Sequence, residues 1–484
     1  MAWQLALVFG PDDRRPVFLQ IAHAIATEIQ RGRLRAGDPL PSTRKLAAQL
    51  ATHRKTVTAA YRELASQGWI AIAAARGARV TADVPPIAVR RSEPAPPSRA
   101  GFELREPSAQ PVRMTARQPG RLLLLGGVPE LRFVPQLALG RAYRSVLAAP
   151  QARRLLDYGS PQGEPQLREQ LAEMLRRTRG IAATADTIAV LHGSQQALYL
   201  AARTLLRPGD RVAVEALGYP SAWNAFRLAG AELEPIPVDP CGLDVDALEA
   251  VCARKAIRAI YVTPHHQVPT TVTLGAARRL RLLELARRHR IAIFEDDHDH
   301  EFQYEGRPVL PLAAADRHGV VIYLGSLSKI LAPGLRLGYL VATPDVVARI
   351  AGYRALIDHQ GDHVLERALA ELMVDGTIER HVRKARRAYR ARRDALCAAL
   401  ADQLPSLAFR LPHGGMAVWV RAPSGTDVAA WAARALAAGV AFQPGQQFAL
   451  TGRVPHHARL GFAACTEREL VEAVRRMTAT YPRR

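Results

Sequence analysis

Five short apolar runs limit what this chain can fold into: TIAVLHG (187–193), DRVAVEA (210–216), IRAIYVTP (257–264), RIAIFEDD (290–297) and VVIYLGS (320–326). Each is rich in β-branched residues, and longer helical patterns separate them. Strands without polar alternation are buried on both faces, which requires a mostly parallel sheet covered by helices on each side. The alternation begins near residue 120, so an α/β major domain is expected over 116–484. With 484 residues the chain is too long for one ordinary domain, and 48% hydrophobic residues supply enough apolar surface for more than one core.

The first 82 residues have a different pattern. Phe18, Ile21, Ile25 and Ile29 form one helical stripe. Pro41 and Ser42 make a capped turn before a short helix reaching about Leu50. A further helix is expected from Thr52, its cap, to Gly68, with Val57, Tyr61 and Leu64 facing inward. Arg54, Lys55, Thr56 and Thr58 fall in its first turns. Two helices across a tight turn, the second opening on basic and hydroxyl side chains, suit insertion into a major groove. WIAIAAARGARVTA then reads as two strands about Arg76 and Gly77, a wing. Residues 1–82 hold 12 Lys and Arg against 5 Asp and Glu, and the whole chain carries a formal +22. Such a balance favours polyanionic partners, here double-stranded operator DNA. We expect a winged helix-turn-helix domain over 10–82.

Between the modules, 83–115 is rich in Pro, Ser and charge without an apolar period, and is expected to be an extended linker. Cys241, Cys252, Cys397 and Cys465 show no CxxC spacing, so no disulfide framework or cysteine zinc site is expected. The N-terminus has neither the basic leader nor the cleavage site of a signal peptide, and no apolar run is long enough for a membrane span. The expected location is the bacterial cytoplasm, on the nucleoid when DNA is bound, with no membrane partner.

YLGSLSKILAPGLRLGYLVA (323–342) places one amine, Lys329, just beyond a buried strand, with Arg336 seven residues later. A desolvated lysine near other cations is partly deprotonated, and its characteristic use is a Schiff base with a carbonyl. Pyridoxal 5'-phosphate needs such a lysine, an anion for its ring nitrogen and a phosphate cradle. Asp296 ends a buried strand, at the edge where open sheets present ligands. Gly193, Ser194 and Gln195 open a helix and would aim backbone N–H groups at a phosphate. Arg336 with the hydroxyls of Ser326 and Ser328 would complete the cradle. Each feature alone is compatible with a plain cap or a solvated cluster; their order along alternating strands argues for a site.

PVFLQIAHAIATEIQRGRLRAGDPLPSTRKLAAQLATHRKTVTAAYRELASQGWI resembles the GntR-type winged helix, above all in P-L-P-S-x-R and T-V-x-x-A-Y. The resemblance implies DNA contacts by Arg44, Arg54, Lys55, Thr56 and Gly77. EALGYP, YVTPHHQVP, EDDHDHEF and GSLSKILAPGLRLGYLV resemble the fold-type I aminotransferases, and the fusion of both parts resembles the MocR-type regulators. That resemblance makes Lys329 the Schiff-base lysine, pairs Asp296 with the pyridine nitrogen, and puts Tyr219 near the ring. It sets His266 or Gln267 near the phenolic oxygen, and it implies a homodimer.

The chain departs from that pattern in four places. The wing reads Ala75-Arg76-Gly77-Ala78, His298 stands where a Tyr is frequent, and Thr271 stands where a Gly usually follows. Ala463, Ala464 and Cys465 occupy the region where a carboxylate-binding Arg is often found, while Arg459 is expected to precede the strand, from where it could substitute. On this reading the grip on an amino-acid carboxylate is missing, which favours pyridoxal phosphate itself, or a small amine, as effector and control of vitamin B6 supply as the role. The expected protein is a regulator that senses rather than turns over. The alternatives are an active aminotransferase with a DNA-binding head, and a scaffold with a vestigial pocket. The basic run 383–393 is expected either to be a solvated helix face or to extend the DNA footprint.

Overall fold

The structure, a computed structural model, describes residues 15–73, 77–82, 99–104, 119–306, 309–450 and 454–482. The chain divides into two units, Met1–Arg105 and Glu106–Arg484. The expected linker, 99–104 apart, and the wing tip with Arg76 lie outside the described residues.

In the first unit, helices Val17–Gln30, Thr43–Gln49 and Arg54–Ser66 precede an antiparallel strand pair, Ile70–Ala73 with Gly77–Val80. Ile21, Ile25, Ile29, Val57, Tyr61 and Leu64 are buried in one core, as their spacing predicts. The Tyr61 hydroxyl donates to Pro41 O at 2.8 Å, tying the third helix to the turn before the second. Ser42 caps the second helix through Lys45 N. The third helix is capped one residue later than expected: His53, not Thr52, is the N-cap, and its Nδ1 accepts from Lys55 N at 3.2 Å. An imidazole serves because any side-chain acceptor at that position can satisfy an orphan N–H.

The second unit is built on a seven-stranded sheet. Its order is Ile188–Leu191, Gly338–Val341, Val321–Ser326, Ala292–Asp297, Ile257–Val262, Arg211–Glu215 and Glu232–Ile236. Gly338–Val341 runs antiparallel to both neighbours, and the remaining pairs are parallel. Alternate residues feed two cores. Val190, Ile260, Ile293 and Tyr323 join one, while Leu191, Tyr261, Phe294 and Leu324 join the other. This two-sided burial is why the sequence runs lack polar alternation. A smaller five-stranded sheet, with Leu122–Leu124 parallel to Val440–Pro444 at one edge, packs on helices Thr377–Gln403, Val428–Ala437 and Glu467–Ala479 around a third core. No helix among the described residues is long and apolar enough to cross a membrane.

Two local features differ from a simple reading of the sequence. Within 383–393, Tyr389, Arg392 and Arg393 are buried rather than solvated. Arg392 pairs with Glu130 at 3.2 Å, and Arg393 pairs with Glu305 at 3.0 Å and bonds Pro412 O. Arg392 and Arg393 hold the small lobe together, while Arg383, Lys384, Arg386, Arg387 and Arg390 are exposed, the solvated helix face expected of this run. Thr271, where a glycine was expected, adopts φ +63°. A β-branched residue in the left-handed region is strained by about 1–2 kcal/mol. Thr271→Gly relieves that strain and costs some chain entropy, so the variant is expected to be about 0.5–1 kcal/mol more stable. Denaturant unfolding measures it, and a destabilised variant would contradict the strain argument.

Candidate functional site

On the first unit, Arg44, Arg54 and Lys55 are exposed and Thr56 is half-buried at the start of the third helix. Arg54 Nε reaches Thr43 Oγ1 at 3.4 Å, which links the second and third helices at their exposed N-terminal ends. Gly77 is exposed with φ +71°, and a side chain there would meet nothing within 4 Å. The positive φ, not crowding, is why glycine stands at that turn. With cationic side chains facing solvent around a helix N-terminus, the face suits a phosphate backbone. Lys55→Ala is expected to weaken binding to all DNA sequences alike and to reduce the slope of log affinity against log salt by about 1. Fluorescence anisotropy across a salt series reads both; an unchanged slope would remove Lys55 from the interface.

On the second unit, the parallel strands deliver the chemistry at their C-terminal ends. Asp296, next to last on Ala292–Asp297, is buried at 4% exposure. Tyr261, from the neighbouring strand, donates to its Oδ2 at 2.7 Å, and its Oδ1 has no hydrogen-bond partner. Burial raises the Asp296 carboxyl above its usual range, with His298 and Tyr261 opposing. A buried carboxylate oxygen left open is costly unless a donor completes it.

Lys329 lies in the turn after Val321–Ser326, and its Nζ donates to Gly127 O at 2.7 Å. Burial lowers the ammonium's pKa. The Arg459 and Arg336 charges push the same way, and Asp299 and Asp296 push back. A neutral amine therefore exists at lower pH than on an ordinary lysine, the condition for nucleophilic use.

Helix Gly193–Leu205 starts with no side-chain cap, so the amides of Gly193, Ser194 and Gln195 have no intrahelical acceptor. The Arg336 guanidinium lies against Gly193, where an added Cβ would sit 3.3 Å from Nη2, and Nη2 donates to His192 O at 3.0 Å. Ser326 and Ser328 are buried, and Ser326 Oγ accepts from Ser328 N at 3.2 Å. The Gln195 side chain turns away to Ser221 O. Tyr219 caps the start of Pro220–Leu228, and burial raises its phenol.

His266 and Gln267 are placed differently from one another. Gln267 is consumed by its own loop: Nε2 donates to Leu217 O and Val268 O, and Oε1 accepts from Thr270 N and its hydroxyl. His266 Nδ1 contacts Asp299 Oδ1 at 2.7 Å and its Nε2 contacts Gln303 Oε1 at 3.0 Å. His298 Nε2 lies 3.4 Å from Asp299 Oδ2 and its Nδ1 lies 4.0 Å from Asp296 Oδ1. Asp299, which sequence reading passed over, thus bridges the two histidines.

The larger correction concerns Arg459. It does not precede the strand; it is the third residue of His457–Gly461, 5% exposed, with no partner for Nε. Its guanidinium packs on Gly126, where a Cβ would come 1.6 Å from Nη1. Burial lowers its pKa to about 10, and it is the leading charge acting on Lys329. A buried guanidinium with an open Nε therefore acts on the lysine, whereas Ala463, Ala464 and Cys465 carry no cation. The sequence signal was GG at 126–127, two glycines admitting an arginine and a lysine, and it went unread.

Comparison with known proteins bears on both units. Residues 137–477 match the model "Aminotransferase class I and II", and residues 18–80 match "Bacterial regulatory proteins, gntR family". The probable rhizopine catabolism regulatory protein MocR of Rhizobium meliloti is 33% identical over 410 residues, covering 82% of this chain and 80% of that protein. The chain belongs to the MocR-type regulators. A second relative, the HTH-type pyridoxine biosynthesis transcriptional regulator PdxR of Corynebacterium glutamicum, is 31% identical over 423 residues, 86% of this chain and 85% of that one. The crystal structure of LysN from Thermus thermophilus, an α-aminoadipate aminotransferase complexed with N-(5'-phosphopyridoxyl)-L-leucine, superposes with a TM-score of 0.70 at 30% identity, over 75% of this chain and 92% of that one.

The effector domain of this MocR-type regulator therefore has the fold-type I aminotransferase architecture, and its cofactor is pyridoxal 5'-phosphate. The residues fit that group. The open Asp296 Oδ1 matches a pyridinium N–H, and the uncapped helix start with Arg336 matches a phosphate.

Proposed function

We propose that this regulator senses a primary amine carrying a carboxylate, of the amino-acid class, in the pocket formed by Lys329, Asp296 and Arg459, and that the ligand changes its grip on operator DNA. The observation that carries this reading is the buried Arg459 guanidinium, with an unpartnered Nε, acting electrostatically on Lys329. When bound, pyridoxal phosphate supplies an electrophilic aldehyde carbon that amines attack. Lys329, held by Gly127 O and with its pKa lowered by burial and by two arginines, would present its amine to that carbon. Asp296, oriented by the Tyr261 hydroxyl, would accept the ring N–H. Gly193, Ser194, Gln195, Ser326, Ser328 and Arg336 would anchor the phosphate, and Tyr219 would bound the ring. His298 and His266 are oriented by Asp299. Arg459 takes the ligand carboxylate. Arg44, Arg54, Lys55, Thr56 and Gly77 hold the duplex. The proposed working unit is a homodimer acting on cytoplasmic DNA, in which a second copy would cover Arg336, exposed in the single chain.

Arg459 also favours a second reading, in which the domain retains transaminase turnover, because a substrate carboxylate can be held. A third follows from the PdxR relative: the effector is pyridoxal phosphate itself. One experiment separates them. Holoprotein is titrated with amino acids, with their decarboxylated amines and with added pyridoxal phosphate, following cofactor absorbance and operator binding together. Amino acids that change both signals at constant cofactor form support sensing. Conversion to the pyridoxamine form that a keto acid reverses supports turnover. Operator binding that follows pyridoxal phosphate alone supports the third reading and sinks the first.

A further inference from the structure

Asp297 follows Asp296 along the same strand, so its side chain points to the opposite face of the sheet. There it meets two histidines that the cofactor site does not use, His265 and His300. All three are buried, at 3%, 4% and 5% exposure. One ligand atom from each lies within 4.8 Å of the others, the one such His, Cys, Asp or Glu group among the described residues. His300 Nδ1 is 2.9 Å from Asp297 Oδ2, and the Tyr323 hydroxyl donates to that same oxygen at 2.8 Å. Asp297 Oδ1 has no partner, and neither does either ring nitrogen of His265. The His265 ring is wedged between those of His266 and His300, each centroid 4.6 Å away. Buried imidazoles normally satisfy at least one nitrogen, so both open nitrogens beside an open carboxylate oxygen need a cause.

We propose that His265, Asp297 and His300 form a binding site for one divalent transition-metal ion of the zinc class, taken by two imidazole nitrogens and one carboxylate oxygen.

Two nitrogens and one oxygen are a borderline donor set that suits zinc, cobalt or iron(II), whereas magnesium and calcium demand mostly oxygen ligands. Ligand atoms bound at about 2.0–2.1 Å around one tetrahedral ion sit roughly 3.3 Å apart, so side-chain rotations of an ångström or so close the present group around an ion. The nearby cation is accounted for. Arg179 Nε lies 3.9 Å from Asp297 Oδ2, but its guanidinium is paired with Glu301 and bonded to the Tyr339 hydroxyl. That contact is to Oδ2 and leaves Oδ1 free. Three protein ligands leave a fourth position for water. The ion would clamp the strand end carrying Asp296 to the loop carrying His266, so its presence would stiffen the floor of the cofactor pocket without touching the cofactor.

The test uses untagged full-length holoprotein, stripped with a chelator, dialysed and titrated with Co²⁺ and then Zn²⁺. One equivalent of Co²⁺ is expected to give visible ligand-field absorbance that Zn²⁺ abolishes, and saturating Zn²⁺ is expected to raise the melting temperature by several degrees. His265→Asn and Asp297→Asn should each weaken Co²⁺ binding at least about 100-fold, with circular dichroism and retained cofactor absorbance reporting that the variants are folded. Should Asp297→Asn not fold, the wild-type titration and His265→Asn decide between them. Absence of a saturable site at micromolar metal, or a site unaffected by His265→Asn, overturns the proposal and leaves a water-filled cluster.

Discussion

Lys329→Ala is expected to abolish retention of the cofactor through dialysis and to leave operator binding blind to ligand. The amine forms the covalent link that every other contact only orients, and its loss should weaken cofactor binding at least 100-fold, about 2.7 kcal/mol. Lys329→Arg keeps the positive charge beside Asp299 and Asp296 but has no nucleophilic amine, so it should fail equally. Equal failure would locate the effect in covalent capture rather than in electrostatics. The measurement is visible absorbance after dialysis, paired with operator binding with and without ligand. A Lys329→Ala protein that keeps both cofactor and ligand response would defeat the reading of this domain as a sensor working through that side chain.

Arg459→Ala should separate ligands by their carboxylate. Truncating one member of a buried charge pair typically costs 2–5 kcal/mol, so affinity for an amino acid should fall by roughly 30-fold to several thousandfold. Affinity for the decarboxylated amine should barely change. The same substitution carries a pH signature. The Arg459 charge lowers the Lys329 pKa, so removing it stabilises the ammonium, and the midpoint of cofactor capture against pH should move upward, toward the ordinary 10.5. A merely structural arginine would alter folding without separating the two ligand classes. If the amino acid and its amine lose affinity in the same proportion, Arg459 is not the carboxylate anchor.

Much of the architecture was legible because it depends on local pattern. The apolar runs at 187–193, 257–264 and 290–297 could only be strands covered on both faces, and all three lie in the seven-stranded sheet. The 3.6-residue stripe through Ile21, Ile25 and Ile29 marked a helix by its own period. Lys329 and Asp296 could be proposed for a related reason: one follows and the other nearly ends a buried parallel strand, while Arg336 comes just before the antiparallel Gly338–Val341, which starts at that same edge. What escaped involved partners far apart in the chain. Arg459 reaches Gly126 across more than three hundred residues. Arg392 and Arg393 looked solvated because Glu130 and Glu305 are not their sequence neighbours.

From the amino-acid order alone, then, came the two modules, the cation-rich head and the proposed set of lysine, carboxylate and arginine for a cofactor, since periodicity and strand ends are properties of short segments. Tertiary structure alone decided that Arg459 packs on Gly126, that Asp299 joins His266 to His298, and that His265 and His300 meet Asp297 on the other face of the sheet. Charges and lone pairs interact through space at distances of about 3–4 Å, and only the folded chain determines which of them come that close.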